Sequence, residues 1–277
     1  MARFTSSDGL SLHYEDEGAG PPVLCLAGLT RNSADFTWLA QHLRDVRLIR
    51  LDYRGRGQSE YAADPMSYTI AREGQDAIEL LDHLGLERVS VIGTSRGGLI
   101  AMALSVSHRH RLAGVVLNDI GPELCEAGLE RIMDYVGRTP PFADLDDAAA
   151  ALQAGHAHDF PGVGLARWRE QAEFMWTNAP GGGVGLRYDP ALREALTGQA
   201  GTGTAVDMWA LFDGLRGLPL ASIRGANSDL FVAATQARMA ARHGAMISAV
   251  VPERGHVPFL DEPESLAAIH ALLERVA

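Results

Sequence analysis

A serine set between two glycines, Gly93-Thr-Ser95-Arg-Gly97, is the segment of this chain whose residue types most directly promise chemistry. It stands between an apolar run at 89–92 and a helix-forming stretch at 99–104, which predicts a short strand, a tight turn with the hydroxyl at its tip, and a helix. The glycines follow from the bend. To push Ser95 outward the chain must turn sharply, and a β-carbon at position 93 or 97 would collide with neighbouring backbone. The helix that follows aims its unpaired N–H groups at any oxyanion formed beside the serine.

A serine hydroxyl is a weak nucleophile at neutral pH, so Ser95 needs a histidine base, and that histidine needs a carboxylate to fix its tautomer and stabilise its charged form. Of ten histidines, only His256 falls in a loop directly after an apolar strand, behind a glycine that lets the chain turn. His42, His83, His243 and His270 fall on predicted helices, and His108 and His110 near a helix end. His156 and His158 are spaced like a metal-binding pair but have no third ligand, so no metal is expected. Two carboxylates are placed to serve the histidine. Asp229 lies about five residues past the end of its strand, within reach of a neighbouring histidine loop, and Asp119 comes directly after the apolar run 113–117.

The elements that must position these residues alternate regularly. A polar hairpin at 4–6 and 10–15 is followed by strands at 23–27, 47–51, 89–92, 113–117, 220–223 and 247–251. Helices are predicted at 33–43, 70–84 and 231–243, the last closed by Gly244, and from Pro263 to the C-terminus. Strands without polar alternation, each followed by a helix, imply a parallel sheet covered on both faces. Residues 121–206 break the alternation: 124–135, 146–156 and 165–176 look helical, with loose glycine-rich stretches at 180–185 and 197–204 that read as hinges. The expectation is an α/β core formed by residues 1–120 and 207–277, with a helical cap at 121–206 that adds no strand to the sheet.

Composition narrows the partners. The chain has 277 residues, 47% hydrophobic, enough for one large domain with an insertion. A net charge of -11 argues against nucleic acid and anionic membrane surfaces, which would repel it. Two cysteines, Cys25 and Cys125, make neither a metal spacing nor a disulfide framework, and Met1 to Asp8 lacks the apolar segment of a signal peptide. A cytoplasmic protein is therefore expected, with no cofactor. Nothing in the sequence sets an oligomeric state.

With these residues in view, the whole chain resembles α/β-hydrolase fold proteins that carry a helical cap. Beyond Gly93-x-Ser95-x-Gly97 the likeness rests on Gly28-Leu29, Asp52-x-Arg54-Gly55-x-Gly57-x-Ser59, Arg224-Gly-Ala-Asn-Ser-Asp229 and Gly255-His256 through Pro263, all in the family's order. The resemblance implies a serine hydrolase with Ser95 as nucleophile, His256 as base and Asp229 at the usual place of the acid, Asp119 being the alternative site. It also implies an oxyanion hole made by the backbone N–H groups of Leu29 and Arg96. Ala27 stands where many relatives carry histidine before the glycine, so the usual side-chain anchor of that loop is missing.

Arg31 and the Arg96 side chain each call for an acidic partner, or else contact a substrate carboxylate. Trp38, Trp168, Trp176, Trp209, Phe142 and Met175 are candidates for the wall of an apolar pocket, with Arg31, Trp176 and Val257 as substrate contacts. The first functional reading is hydrolysis of small, partly apolar esters or lactones. The runner-up is a carbon–carbon hydrolase of ring-fission diketo acids, whose relatives commonly place tryptophan after the catalytic histidine where this chain has Val257. A non-catalytic ligand receptor on the same fold is the third.

Overall fold

Strands without polar alternation are buried here on both faces, and they form the centre of an eight-stranded sheet. The computed structural model describes residues 2–200 and 206–276. In chain order the elements are β1 (Ala2–Thr5), β2 (Ser11–Gly18), β3 (Pro22–Leu26), α1 (Thr37–Ala40), β4 (Arg47–Leu51), α2 (Ile70–His83), β5 (Val89–Thr94), α3 (Arg96–Ser107) and β6 (Leu112–Asn118). Next come α4 (Glu126–Tyr135), α5 (Leu145–Gly155), α6 (Leu165–Met175), β7 (Trp176–Asn178), β8 (Val184–Leu186), α7 (Leu192–Ala200) and α8 (Met208–Asp213). The chain then returns to the sheet with β9 (Leu220–Gly225), α9 (Ala233–His243), β10 (Ile247–Val251) and α10 (Pro263–Val276).

The sheet order is β1-β2-β4-β3-β5-β6-β9-β10. Its first two pairings, β1 with β2 and β2 with β4, are antiparallel, and the rest are parallel. All six residues of β5 are buried, as a strand with helices on both faces requires. One face packs α2, α3 and α8 through Leu80, Ile100, Met102, Leu104 and Phe212; the other packs α1 and α10 through Leu39, Ile269 and Leu272. Each such apolar side chain contributes about 1.5–3 kcal/mol by leaving water, so the two covers together hold the strand ends in fixed positions. Local signals set the helix limits: the Thr69 hydroxyl accepts from the N–H of Arg72 at 3.0 Å to start α2, and Gly244 closes α9 with a left-handed φ of 82°.

The segment between β6 and β9 has its own small core of Leu145, Ala148, Phe160, Trp168 and Trp176, against which Phe259 of the main body packs. It is tied down by Arg167 to Asp261 at 2.6 Å, Asn32 Nδ2 to the carbonyl of Phe174 at 2.8 Å and Trp38 Nε1 to Glu170 at 2.7 Å. Three sequence expectations change here. Of the glycines at 180–185, Gly181, Gly182 and Gly183 form the turn of the hairpin β7–β8, closed by the N–H of Ala179 on the carbonyl of Gly183 at 2.9 Å, and Gly185 lies within β8. That hairpin is a separate two-stranded sheet. The helix expected at 33–43 is a 3₁₀ turn, Ser33–Phe36, running into the short α1, because Asn32 caps Ala34 and Asp52 accepts from the N–H of Ser33. Helices α7 and α8 are not expected from the sequence; α7 takes in the first half of the stretch 197–204, and residues 201–204 lie outside the described residues. Among the described residues no helix is long and apolar enough to cross a membrane.

Candidate active site

Ser95, Asp119 and His256 all stand at the C-terminal edge of the parallel strands, where loops after β5, β6 and β10 converge. Ser95 adopts φ 48° and ψ −111°, a conformation that L-residues avoid, and it is held there by its N–H on the carbonyl of Asn118 at 3.0 Å. The flanking glycines are spatial necessities. A β-carbon on Gly93 would lie 2.6 Å from the Gly97 carbonyl carbon, and one on Gly97 would lie 2.0 Å from the carbonyl oxygen of Leu26. The bend therefore lets α3 start directly against β3 and β5.

His256 bridges the other two side chains. Its Nε2 is 3.1 Å from Ser95 Oγ, and its Nδ1 is 2.7 Å from Asp119 Oδ2. Asp119 is fully buried, and three donors converge on its carboxylate: the His256 ring, the Ser228 hydroxyl at 2.6 Å and the N–H of Gly225 at 2.7 Å. A buried carboxylate so satisfied holds its orientation. With Nδ1 donating to Asp119, Nε2 is left as the acceptor facing the serine hydroxyl.

The alpha/beta hydrolase family model matches residues 23–269 of the chain. A 3-hydroxybutyrate-oligomer hydrolase from Cupriavidus necator is 35% identical over 267 residues, covering 93% of this chain and 90% of that protein. The chain belongs to the α/β-hydrolase family. A crystal structure of an alpha/beta hydrolase from Novosphingobium aromaticivorans superposes with a TM-score of 0.92 at 44% identity, covering 99% of this chain and 97% of that one.

In this hydrolase the expected acid is not where the histidine is. Asp229, the residue favoured from the sequence, pairs with Arg131 of α4 at 3.1 Å, while the carboxylate hydrogen-bonded to His256 is that of Asp119. The reason lies in the loop after β9: Gly225 and Ser228 both turn their donors onto Asp119, so the loop serves the carboxylate that follows β6, and its own Asp229 is taken up by Arg131. Ser228, one residue before Asp229, was missed from the sequence, where a lone loop serine carries no signal of its own. Asp119 has φ 53°, and its N–H bonds to the carbonyl of Ile223 at 2.8 Å, which anchors the turn that aims the side chain at His256.

A cavity of about 440 Å³ opens over Ser95 and His256. Leu29, Trp38, Phe142, Trp168, Met175 and Trp176 line it, and so do Arg31 and Val257. Trp209, expected on the same wall, is elsewhere: its indole donates to Glu123 at 2.9 Å between α8 and α9. Both arginines find acidic partners. Arg31 makes a two-pronged pair with Asp35 at 2.6 and 2.7 Å, and Arg96 is buried against Glu73 at 2.5 Å. His156 also faces the cavity, stacked on Trp168 with centroids 5.2 Å apart, and its burial pushes its pKa down, leaving it neutral at physiological pH. Among the described residues no group of three or more histidines, cysteines or carboxylates is arranged to hold a metal ion. The N–H groups of Leu29 and Arg96 donate to no protein acceptor among the described residues, which leaves both available at the serine turn.

Proposed function

We propose that this α/β-hydrolase cleaves carboxylic esters or lactones of small, partly apolar substrates through an acyl-enzyme on Ser95. The observation that carries the reading is the unbroken Ser95–His256–Asp119 hydrogen-bond chain on the wall of a largely apolar cavity. His256 Nε2 accepts the Ser95 proton as Oγ attacks the ester carbonyl, and Asp119 stabilises the imidazolium that results. The tetrahedral oxyanion is met by the N–H groups of Leu29 and Arg96. Collapse breaks the bond to the alcohol oxygen, which takes the proton from His256. Water, deprotonated by the same nitrogen, then releases the acid and restores Ser95.

Residues 121–206 act as a cap that supplies most of the aromatic lining and limits substrate size, with the core in residues 1–120 and 207–277. The similarity to an oligomer hydrolase of 3-hydroxybutyrate favours short hydroxyacid esters among the candidates. Carbon–carbon cleavage is the weaker reading, since Val257 and Pro258 follow the histidine and apolar rings dominate the wall.

Chelator-treated enzyme assayed on nitrophenyl butyrate, a small lactone, the linear dimer of 3-hydroxybutyrate and a ring-fission diketo acid tests the proposal. Turnover of an ester or lactone is expected without added metal. Faster turnover of the diketo acid than of every ester and lactone would overturn it, and binding without turnover of any would support the receptor alternative.

A further inference from the structure

Behind the serine turn lies a buried Arg–Glu–Arg cluster that has no part in the proton relay. Glu73 of α2 and Arg56 of the loop after β4 are fully buried, and Arg96 of α3 is nearly so. Glu73 Oε2 is 2.5 Å from Arg96 Nε, and its Oε1 is 2.9 Å from Arg56 Nη1. Three charges without water are a poor means of stabilising a fold, because apolar side chains of similar volume commonly do as well or better. What the arginines hold is more telling.

Arg56 Nε donates to the carbonyl of Leu29 at 3.1 Å and Nη1 to the carbonyl of Arg54 at 2.7 Å, while Arg96 Nη2 donates to the carbonyl of Tyr68 at 3.1 Å. The loop after β3 is thus held at three successive carbonyls: Ala27 by the Tyr53 hydroxyl at 3.1 Å, Gly28 by the N–H of Arg31 at 3.1 Å, and Leu29 by Arg56. The Gly28 carbonyl shares a peptide plane with the Leu29 N–H, so fixing its neighbours on both sides fixes the direction of that N–H. Ala27 offers no side-chain anchor for this loop, and Arg56 supplies one from below.

We propose that Arg56 and Glu73 are positioning residues for the oxyanion site, with Glu73 clamping together the side chain that orients Leu29 and the side chain of Arg96. The two N–H donors then keep their spacing because both are tied to one carboxylate. This rests on the reading of Leu29 and Arg96 as the oxyanion donors.

Two variants test it. Arg56→Lys keeps a cation against Glu73 but loses the fork that reaches Leu29, and Glu73→Gln keeps shape and a hydrogen-bond acceptor while removing the charge that joins the arginines. Active sites are first counted by stoichiometric reaction of Ser95 with a fluorophosphonate, and rates are expressed per titrated site. Deleting an oxyanion donor outright costs about a hundred- to a thousandfold, so misplacing one is expected to lower kcat on nitrophenyl butyrate by about ten- to a hundredfold. KM should change by less than about twofold. The inhibition constant of a trifluoromethyl ketone, whose carbonyl carbon bonds to Ser95 Oγ and whose oxygen becomes the oxyanion, should rise by the same factor as kcat falls. Loss of titratable sites or of thermal stability, with per-site kcat and ketone affinity at wild-type values, would show that the cluster only supports the fold. A wild-type protein that does not react with the fluorophosphonate would instead overturn the assignment of Ser95, a distinguishable failure.

Discussion

Replacing Asp119 by asparagine is the sharpest test of the hydrogen-bond chain. The substitution keeps the shape of a fully buried side chain, and one amide oxygen still accepts from the N–H of Gly225. What changes is the atom facing His256 Nδ1, now 2.7 Å from a carboxylate oxygen. An amide N–H in that place forces Nδ1 to accept, so the ring proton moves to Nε2, opposite Ser95 Oγ, where a base is needed. The imidazolium also loses its counter-charge. A wrong tautomer of this kind lowers kcat about 10⁴-fold in a serine triad, on the order of 5 kcal/mol of transition-state stabilisation. Asp229→Asn is the control: its partner Arg131 is 60% exposed, an ion pair worth at most about 1 kcal/mol. Turnover of nitrophenyl butyrate near pH 7 by both variants, with circular dichroism to confirm folding, decides between them. A folded Asp119→Asn enzyme with more than about a tenth of wild-type kcat, or a collapse of activity in Asp229→Asn, would refute the assignment of the acid.

Ser95→Ala should abolish ester turnover by at least about a thousandfold with an unchanged thermal midpoint, because it removes one hydroxyl and no packing; residual turnover above about a tenth in the folded variant would exclude Ser95 as nucleophile. Gly97→Ala would drive a β-carbon to within 2.0 Å of the Leu26 carbonyl oxygen, so a loss of about 1–3 kcal/mol and a lower unfolding temperature are expected by calorimetry; an unchanged midpoint would mean that the turn is looser than described. His156 titrates below its ordinary value because burial disfavours its charged form, so between that lowered pKa and about 6.5 the unfolded chain binds more protons than the folded one. Stability should therefore fall as pH drops below about 6.5, and His156→Gln should flatten that fall in urea midpoints measured at several pH values; an equal slope in both proteins would remove His156 as its source.

Most of what positions the site was legible from the sequence because it is written in local signals. The serine turn declares itself through two glycines that cannot carry a β-carbon, and the histidine through a glycine after an apolar strand. The strand limits 47–51 and 247–251 are those observed for β4 and β10, where nothing but hydrophobic periodicity is needed to define them. The acid was not legible in the same way. Asp119 and Asp229 each follow a buried strand, and what separates them is the side-chain direction set by a positive φ at 119 and by the Ser228 hydroxyl, both consequences of tertiary contact. Residues 180–185 erred for a related reason: a run of glycines reads as freedom, yet the strands on either side make it a hairpin turn. The pairing of Arg96 with Glu73 follows the expectation that a cation at a helix N-terminus needs an acidic partner, although its depth below the surface comes only from packing.

The position of Asp119 also bears on how such a chain can change over time. The peptide at 118–119 both receives the N–H of Ser95 and carries the carboxylate aimed at His256, so the proposed nucleophile and acid hang from neighbouring strands that are complete before residue 121. Everything between β6 and β9, the proposed cap, can then lengthen, shorten or be exchanged for another segment without altering the distance between those two groups. Only the loop bearing His256 has to come back to a fixed place, and the N–H of Gly225 together with the Ser228 hydroxyl marks where the returning chain must land. A recombinant in which residues 121–206 are replaced by the corresponding segment of a relative should for this reason keep its reaction type and change its substrate.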